Sequence, residues 1–285
     1  MGIQIYAFAD EADTMVDGQI RAMTRNRLAG VEMRGVNGAN VAELSDAAVK
    51  EYAKKLRDAG LSVWAIGSPV GKTDIDGGKL TGERERLKRM FEIADLTGAE
   101  NIRIFSFFLP KNKPPEDYRS AVLDELGIYA EMAEKAGVTL CHENEKGIYG
   151  DTAERCLDIL RSVPAIRGVF DPANFVQCGE DTWRAWELLA PYIRYMHVKD
   201  ALKNGTVVPA GHGVGNLRRI AKAYAARGGE VFTVEPHLTG FIGLSGLERA
   251  GEASIIGGAE FHVNDQNEAF DLAVNEFRKI EEELK

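Results

Sequence analysis

The chain has 285 residues, of which 45% are hydrophobic and 28% charged, enough apolar material for a sizeable core. Its net charge of −9 argues against a nucleic-acid-binding protein, which needs a basic face. No run of 18 apolar residues suggests a membrane span, and the opening MGIQIYAFADEAD has no basic stretch of a secretory leader. Three cysteines, Cys141, Cys156 and Cys178, are odd in number and lack CxxC spacing. That fits a reducing compartment, so a cytoplasmic protein is expected, without a disulfide framework or zinc finger.

Taken in order, residues 3–8 (IQIYAF) read as a strand that Asp10-Glu11 breaks, and 15–28 as a helix. Residues 30–35 (GVEMRG) are a second strand, in which Glu32 and Arg34 share one face and Val31 and Met33 the other. If the apolar pair packs against helices, the charged pair points inward. Ser45 can cap a helix that runs to Ala59, where Gly60 stops it. The unit then recurs: strand 61–68, helix 81–97; strand 101–108, helix 116–136; strand 138–143, and a helix to Ser162 opened by a capping-box-like Asp151-Thr152-Ala153-Glu154. Residues 168–200 read as strand, helix, strand. A helix over 216–226, a strand over 230–235 and a closing helix over 265–283 complete the chain.

About eight strands and eight helices alternate, with no low-complexity linker between them. Alternation implies parallel strands with right-handed crossovers. Eight units in this length predict a (β/α)8 TIM barrel, one domain over residues 1–285. An open nucleotide-binding sheet would show glycines after the first strand, where Ala9-Asp10-Glu11 stands instead.

Active sites of such barrels form at the carboxyl ends of the strands. Four successive strands end on groups able to bind a metal: Glu143, Asp171, His197 and Glu235. Three carboxylates and an imidazole suit one hard divalent ion, Mn²⁺, Mg²⁺ or Co²⁺, and also accommodate Zn²⁺. Such a site can polarise a carbonyl and stabilise an enediolate. Lys199 shares the face of His197 and offers a cation to a substrate oxyanion or a salt bridge to Glu32 or Asp171. Arg103, Phe105 and Phe107 share one face of the fourth strand, and Trp64, Phe105 and Phe107 read as an apolar wall for a sugar ring or as ordinary barrel core. The glycine-rich stretch 208–215 can hold an anion on its amides, with His212 as a contact, or form a plain loop. Residues 239–258 are long for a connection and read as a lid or a subunit contact, the latter allowing a homo-oligomer.

At HENEKGIYGD (142–151), FDPANF (170–175), MHVKD (196–200) and VEPH (234–237) the sequence resembles the sugar phosphate isomerase/epimerase family of xylose-isomerase-like TIM barrels. The resemblance implies a divalent metal on Glu143, Asp171, His197 and Glu235. From its ketose 3-epimerases it also implies Glu143 and Glu235 as the acid/base pair on opposite faces of the carbon beside the carbonyl. The substrate would be a sugar, a sugar phosphate or a related polyol ketone, held by Asn174, Lys199, Glu32, Arg34, Trp64, Arg103 and His212. Asn174 departs from the 3-epimerases, which carry a histidine there. An inosose-dehydratase-like lyase is the alternative on the same metal site. An endonuclease IV-like phosphodiesterase is disfavoured by the five histidines and acidic charge.

Overall fold

The computed structural model describes residues 2–244, 255–257 and 261–284. Eight parallel strands close a barrel: β1 (Gln4–Ala7), β2 (Gly30–Met33), β3 (Ser62–Ile66), β4 (Asn101–Ile104), β5 (Thr139–Glu143), β6 (Arg167–Phe170), β7 (Ile193–Val198) and β8 (Val231–Val234). Each pairs with its neighbours in chain order, and β8 closes on β1 with Gln4 opposite Val231. The helices outside are α1 (Val16–Arg25), α2 (Asp46–Asp58), α3 (Leu80–Thr97), α4 (Arg119–Ala136), α5 (Ala153–Ser162), α6 (Pro172–Gln177), α7 (Thr182–Leu189), α8 (Leu217–Ala226) and α9 (Gln266–Glu281). The single-domain (β/α)8 barrel expected from the alternation is the fold.

The helix limits follow the punctuation of the sequence. Ser45 Oγ accepts the Ala48 amide and starts α2. Thr152, not Asp151, caps α5 by accepting the Arg155 amide. Gly98 and Gly137 end α3 and α4 in the left-handed region, at φ 78° and 71°, which glycine adopts without a Cβ penalty. The single helix expected between β6 and β7 is two. α6 stops at Cys178, Gly179 turns with φ 76°, and Asp181 caps α7 by accepting two amides.

Two apolar layers set the depth of the site. The main core lies between barrel and helices and includes Val31, Met33, Ile104, Phe170, Met196 and Val234. A smaller cluster fills the barrel's amino-terminal half: Tyr6, Ala65, Cys141, Val169, Tyr195 and Val231. Side chains alternate between the two faces along each strand. The inward positions one step further along β2, β5 and β7 are therefore Glu32, Glu143 and His197, above the apolar plug. Among the described residues no helix is long and apolar enough to cross a membrane.

Candidate metal centre

Glu143, Asp171, His197 and Glu235 converge at the carboxyl ends of β5 to β8, all buried, each offering one ligand atom within 4.8 Å of the others. His197 Nδ1 faces Glu143 Oε1 at 3.1 Å, Glu235 Oε2 at 3.6 Å and Asp171 Oδ2 at 3.8 Å. Asp171 also caps α6, its Oδ1 accepting the Asn174 amide at 2.9 Å, which leaves Oδ2 for the centre. Asn144 braces β5 to β6: its amide nitrogen donates to Asp171 O, and its Oδ1 accepts the Asp171 amide. Glu143 Oε2 and Asp171 Oδ2 accept no hydrogen bond from any described residue, although Arg103 and Lys199 nitrogens stand 3.2 Å and 3.0 Å away. Buried carboxylate oxygens left this way carry a large desolvation cost. A hard divalent cation fits them and the donor set.

Three fixed cations surround the acids. Lys199 Nζ bridges Glu235 Oε2 at 2.7 Å and Asp171 Oδ2 at 3.0 Å. Arg34 grips Asp10 through Nε and Nη2 at 2.9 Å and 3.2 Å, and reaches Glu11 at 2.8 Å and Glu235 Oε1 at 3.1 Å. Burial would push Glu235 up, but the Lys199 ammonium and the Arg34 guanidinium beside it hold it well below the usual carboxylate range. Burial dominates at Glu11 and, with Glu235 and Asp10 adding and Arg34 opposing, pushes it up to about 7. Burial opposes charge on Lys199, yet Asp171 and Glu235 raise it well above the ordinary lysine value. Asn174 donates to Glu143 Oε1 at 3.1 Å and Asn144 O at 2.9 Å.

A cavity of about 20 Å³ lies against Arg34, Arg103, Phe105, Asn174, Lys199 and His237. That is room for little more than one water, so a sugar requires side chains to move. Phe241, whose ring stacks 4.9 Å from the Arg34 guanidinium and 5.5 Å from the His237 ring, stands beside it. Arg34 also lines a second small cavity, about 50 Å³, with Asp10, Gly38 and Phe241.

Of the residues expected at the substrate, Asn174, Lys199, Arg34 and Arg103 border this cavity. Glu32 lies below it, bonded to His197 and Tyr195. Trp64 does not reach it. It faces inward in the apolar plug, 5.7 Å from the Tyr6 ring, and lines a cavity of about 880 Å³ at the amino ends of the strands. His212 turns outward, half exposed, with Nε2 3.1 Å from Glu276 Oε2 on α9. Phe107 packs against Tyr129, leaving Phe105 alone of the supposed wall. The glycine-rich loop cradles an anion of its own: Asp200 accepts the amides of Gly211, Gly213 and Gly215. The stretch 239–258, expected as a lid or subunit contact, falls largely outside the described residues.

Sequence reasoning passed over Phe8, Asp10, Glu11 and His237. Phe8 stacks 4.2 Å from the Arg34 guanidinium and meets the His197 ring edge-on at 5.3 Å. His237 adopts φ 45°, its amide donates to Glu11 Oε2 at 2.6 Å, and its buried Nδ1 has no hydrogen-bond partner among the described residues. Asp10-Glu11 at the carboxyl end of β1 was the available signal for this flank.

A family model of xylose isomerase-like TIM barrels matches residues 26–255. No curated protein matches the chain in sequence. Among solved structures, the IolI protein with a bound zinc atom superposes with a TM-score of 0.78 at 15% identity, covering 99% of each chain. D-psicose 3-epimerase from Clostridium cellulolyticum H10, with D-tagatose, gives 0.73 at 14% identity, over 99% of this chain and 100% of that one. A xylose isomerase-like TIM barrel protein from Mycobacterium smegmatis, with magnesium, gives 0.69 at 15% identity over 99% and 98%. At these identities the likeness is one of fold. With four-fifths of its length matched by the family model, the chain belongs to the xylose isomerase-like TIM barrels.

Proposed function

We propose that the protein is a divalent-metal-dependent isomerase or epimerase of a sugar, sugar phosphate or related polyol ketone. The observation that carries this reading is the convergence of Glu143, Asp171, His197 and Glu235, with two carboxylate oxygens lacking hydrogen bonds, at the catalytic end of the barrel. The similar structures support it: one is a 3-epimerase with D-tagatose, and others hold zinc or magnesium. Mn²⁺, Mg²⁺ and Co²⁺ suit the oxygen-rich donor set best.

The four residues would hold the ion. A bound divalent ion supplies positive charge where the substrate carbonyl oxygen becomes negative. Glu143 and Glu235 are the acid/base pair, on strands that flank the centre from β5 and β8. One removes the proton from the carbon beside the carbonyl, and the other returns a proton from its own side. Lys199 and Arg34 keep Glu235 ionised, in the form that accepts a proton. Asn174 fixes the Glu143 carboxylate through Oε1. Phe8 and Phe241 cover Arg34 on two sides and limit water at the reacting centre.

The test is proton exchange in deuterated water. Ketoses, ketose phosphates and inosose-type ketones are incubated with Mn²⁺-loaded protein, and deuterium at the carbon beside the carbonyl is followed by NMR. Exchange is expected for at least one class, and Glu235→Gln should abolish it while leaving the circular dichroism unchanged. Loss of water from the substrate would assign the lyase instead. No exchange and no product across the panel refutes the reading.

A further inference from the structure

His197 is engaged through both ring nitrogens. Nδ1 faces the three carboxylates of the candidate centre. Nε2, across the ring, lies 3.1 Å from Glu32 Oε2. The second Glu32 oxygen, Oε1, accepts the Tyr195 hydroxyl at 2.9 Å. Glu32 is 1% exposed, and His197 and Tyr195 are fully buried. Tyr195 and His197 are two residues apart on β7, so both point into the barrel and hold Glu32 from one strand. The rings of Phe8 and Tyr195 flank the imidazole at 5.3 Å and 5.6 Å.

An ionised carboxylate only accepts hydrogen bonds. Facing Glu32, Nε2 must therefore carry a proton. Nδ1 faces Glu143 Oε1 at the same 3.1 Å, so with no cation bound a proton on each nitrogen satisfies both carboxylates. A cation at the centre takes the Nδ1 lone pair and leaves the single proton of the neutral ring on Nε2, facing Glu32. Buried acids are rare without a partner, and Glu32 has nothing to offer a substrate, with the His197 ring between it and the other acids.

We infer that Glu32, steadied by the Tyr195 hydroxyl, is a positioning residue that fixes the His197 ring with its Nδ1 lone pair directed into the cation site. The inference rests on the proposed metal centre and assigns a role outside its four ligands. Partners of this kind set the tautomer and orientation of a histidine, and their loss typically costs about 10- to 100-fold in metal affinity.

The experiment is Co²⁺ titration of the purified full chain, followed by calorimetry and by the visible spectrum of the bound ion. Glu32→Ala should weaken binding by about 10- to 100-fold and alter the spectrum. Glu32→Gln, which keeps an acceptor for Nε2–H, should recover part of the loss. Tyr195→Phe should weaken binding less than Glu32→Ala and, being nearly isosteric, carries the test if the alanine variant does not fold. Trp64→Phe, in the plug without a contact to His197, controls for packing and should bind Co²⁺ as wild type does. Wild-type affinity and spectrum in Glu32→Gln and Tyr195→Phe, even with lowered thermal stability, would overturn the inference and leave Glu32 a structural acid. The centre itself is tested separately by His197→Ala: if that variant binds Co²⁺ as tightly as wild type, the metal reading fails and the role of Glu32 with it.

Discussion

Lys199 offers the sharpest test of the centre, because it competes for the oxygens a metal would use. Its Nζ bridges Glu235 Oε2 and Asp171 Oδ2 at 2.7 Å and 3.0 Å, and its side chain is only 8% exposed. Lys199→Met keeps the apolar stem and removes the charge, leaving two buried carboxylates without their shared counter-ion. Removing one partner of a buried pair costs about 3–5 kcal/mol. In a chain of this size each kcal/mol moves the melting temperature by roughly 2–4 °C, so the metal-free variant should unfold about 6–20 °C lower than wild type. Mn²⁺ should reverse much of this, since it returns positive charge to the same oxygens without displacing an ammonium. Saturating Mn²⁺ should therefore raise the melting temperature of the variant more than that of wild type. Differential scanning calorimetry of chelator-treated and Mn²⁺-loaded proteins measures both. An unaltered melting temperature without metal, or an equal Mn²⁺-induced rise in the two proteins, would refute the placement of Lys199 against the ligand oxygens.

Arg34 fills a second potential cation position, since Glu11, Glu235 and His237 also bring ligand atoms within 4.8 Å of one another around it. Arg34→Met should bind an additional Mn²⁺ per chain, seen as a rise in metal-to-protein ratio after desalting; an unchanged ratio would show that the guanidinium is not a stand-in. His142 faces outward from β5, with Nε2 2.9 Å from Ser106 Oγ, and burial pushes its pKa down from 6.5 to about 3. In that window the unfolded chain takes up a proton that the folded chain excludes, so stability is lost as pH falls from 6.5 toward 3. At pH 4.5 this amounts to about 3 kcal/mol, which His142→Gln should remove from the pH dependence of urea unfolding; parallel pH profiles for the two proteins would contradict it. Asp200→Ala deprives the amides of Ala201, Gly211, Gly213 and Gly215 of their acceptor. It should cost about 3 kcal/mol and speed hydrogen exchange at those glycines, and unchanged protection would disprove the internal cradle.

Much of the fold is legible because local signals agree with it. Glycines stop helices at 98 and 137, Ser45 and Thr152 start them, and Val31 and Met33 alternate with Glu32 and Arg34 as the barrel requires. The converging quartet is legible for a related reason: an acid or histidine at the end of four consecutive strands shares one rim whatever the details of packing. Depth within the barrel is less accessible. It depends on the register of each strand against its neighbour, and β2 and β3 shift register between Val31 and Glu32. One inward step separates Glu32 from Arg34, yet the first lies under His197 and the second borders the cavity. Trp64 lies below Ile66, Gly67 and Ser68, where the chain leaves β3, and so belongs to the plug. His212 was misplaced because nothing in the glycine-rich stretch shows that Asp200 already occupies its amides.

The charge balance of the barrel mouth ties these observations together. Asp10, Glu11, Glu32, Glu143, Asp171 and Glu235 are six buried acids, against three buried cations, Arg34, Arg103 and Lys199. Buried charges persist only when neutralised or paired. With every acid ionised and His197 neutral the set carries −3, and one divalent ion brings it to −1. Burial pushes the Glu11 carboxyl up to about 7, which favours its neutral form and brings the balance closer to zero. The set thus carries enough acidic charge to accommodate one dication. Glu143 Oε2 and Asp171 Oδ2 accept no hydrogen bond from the described residues, although Arg103 and Lys199 nitrogens stand 3.2 Å and 3.0 Å from them. On the Arg34 side one guanidinium, held through four contacts, faces three acids, Asp10, Glu11 and Glu235. The proposed ion would sit among the four groups at the ends of β5 to β8, where Glu143 and Asp171 keep oxygens free of hydrogen bonds from the described residues, while Arg34 occupies the neighbouring cluster of Glu11, Glu235 and His237.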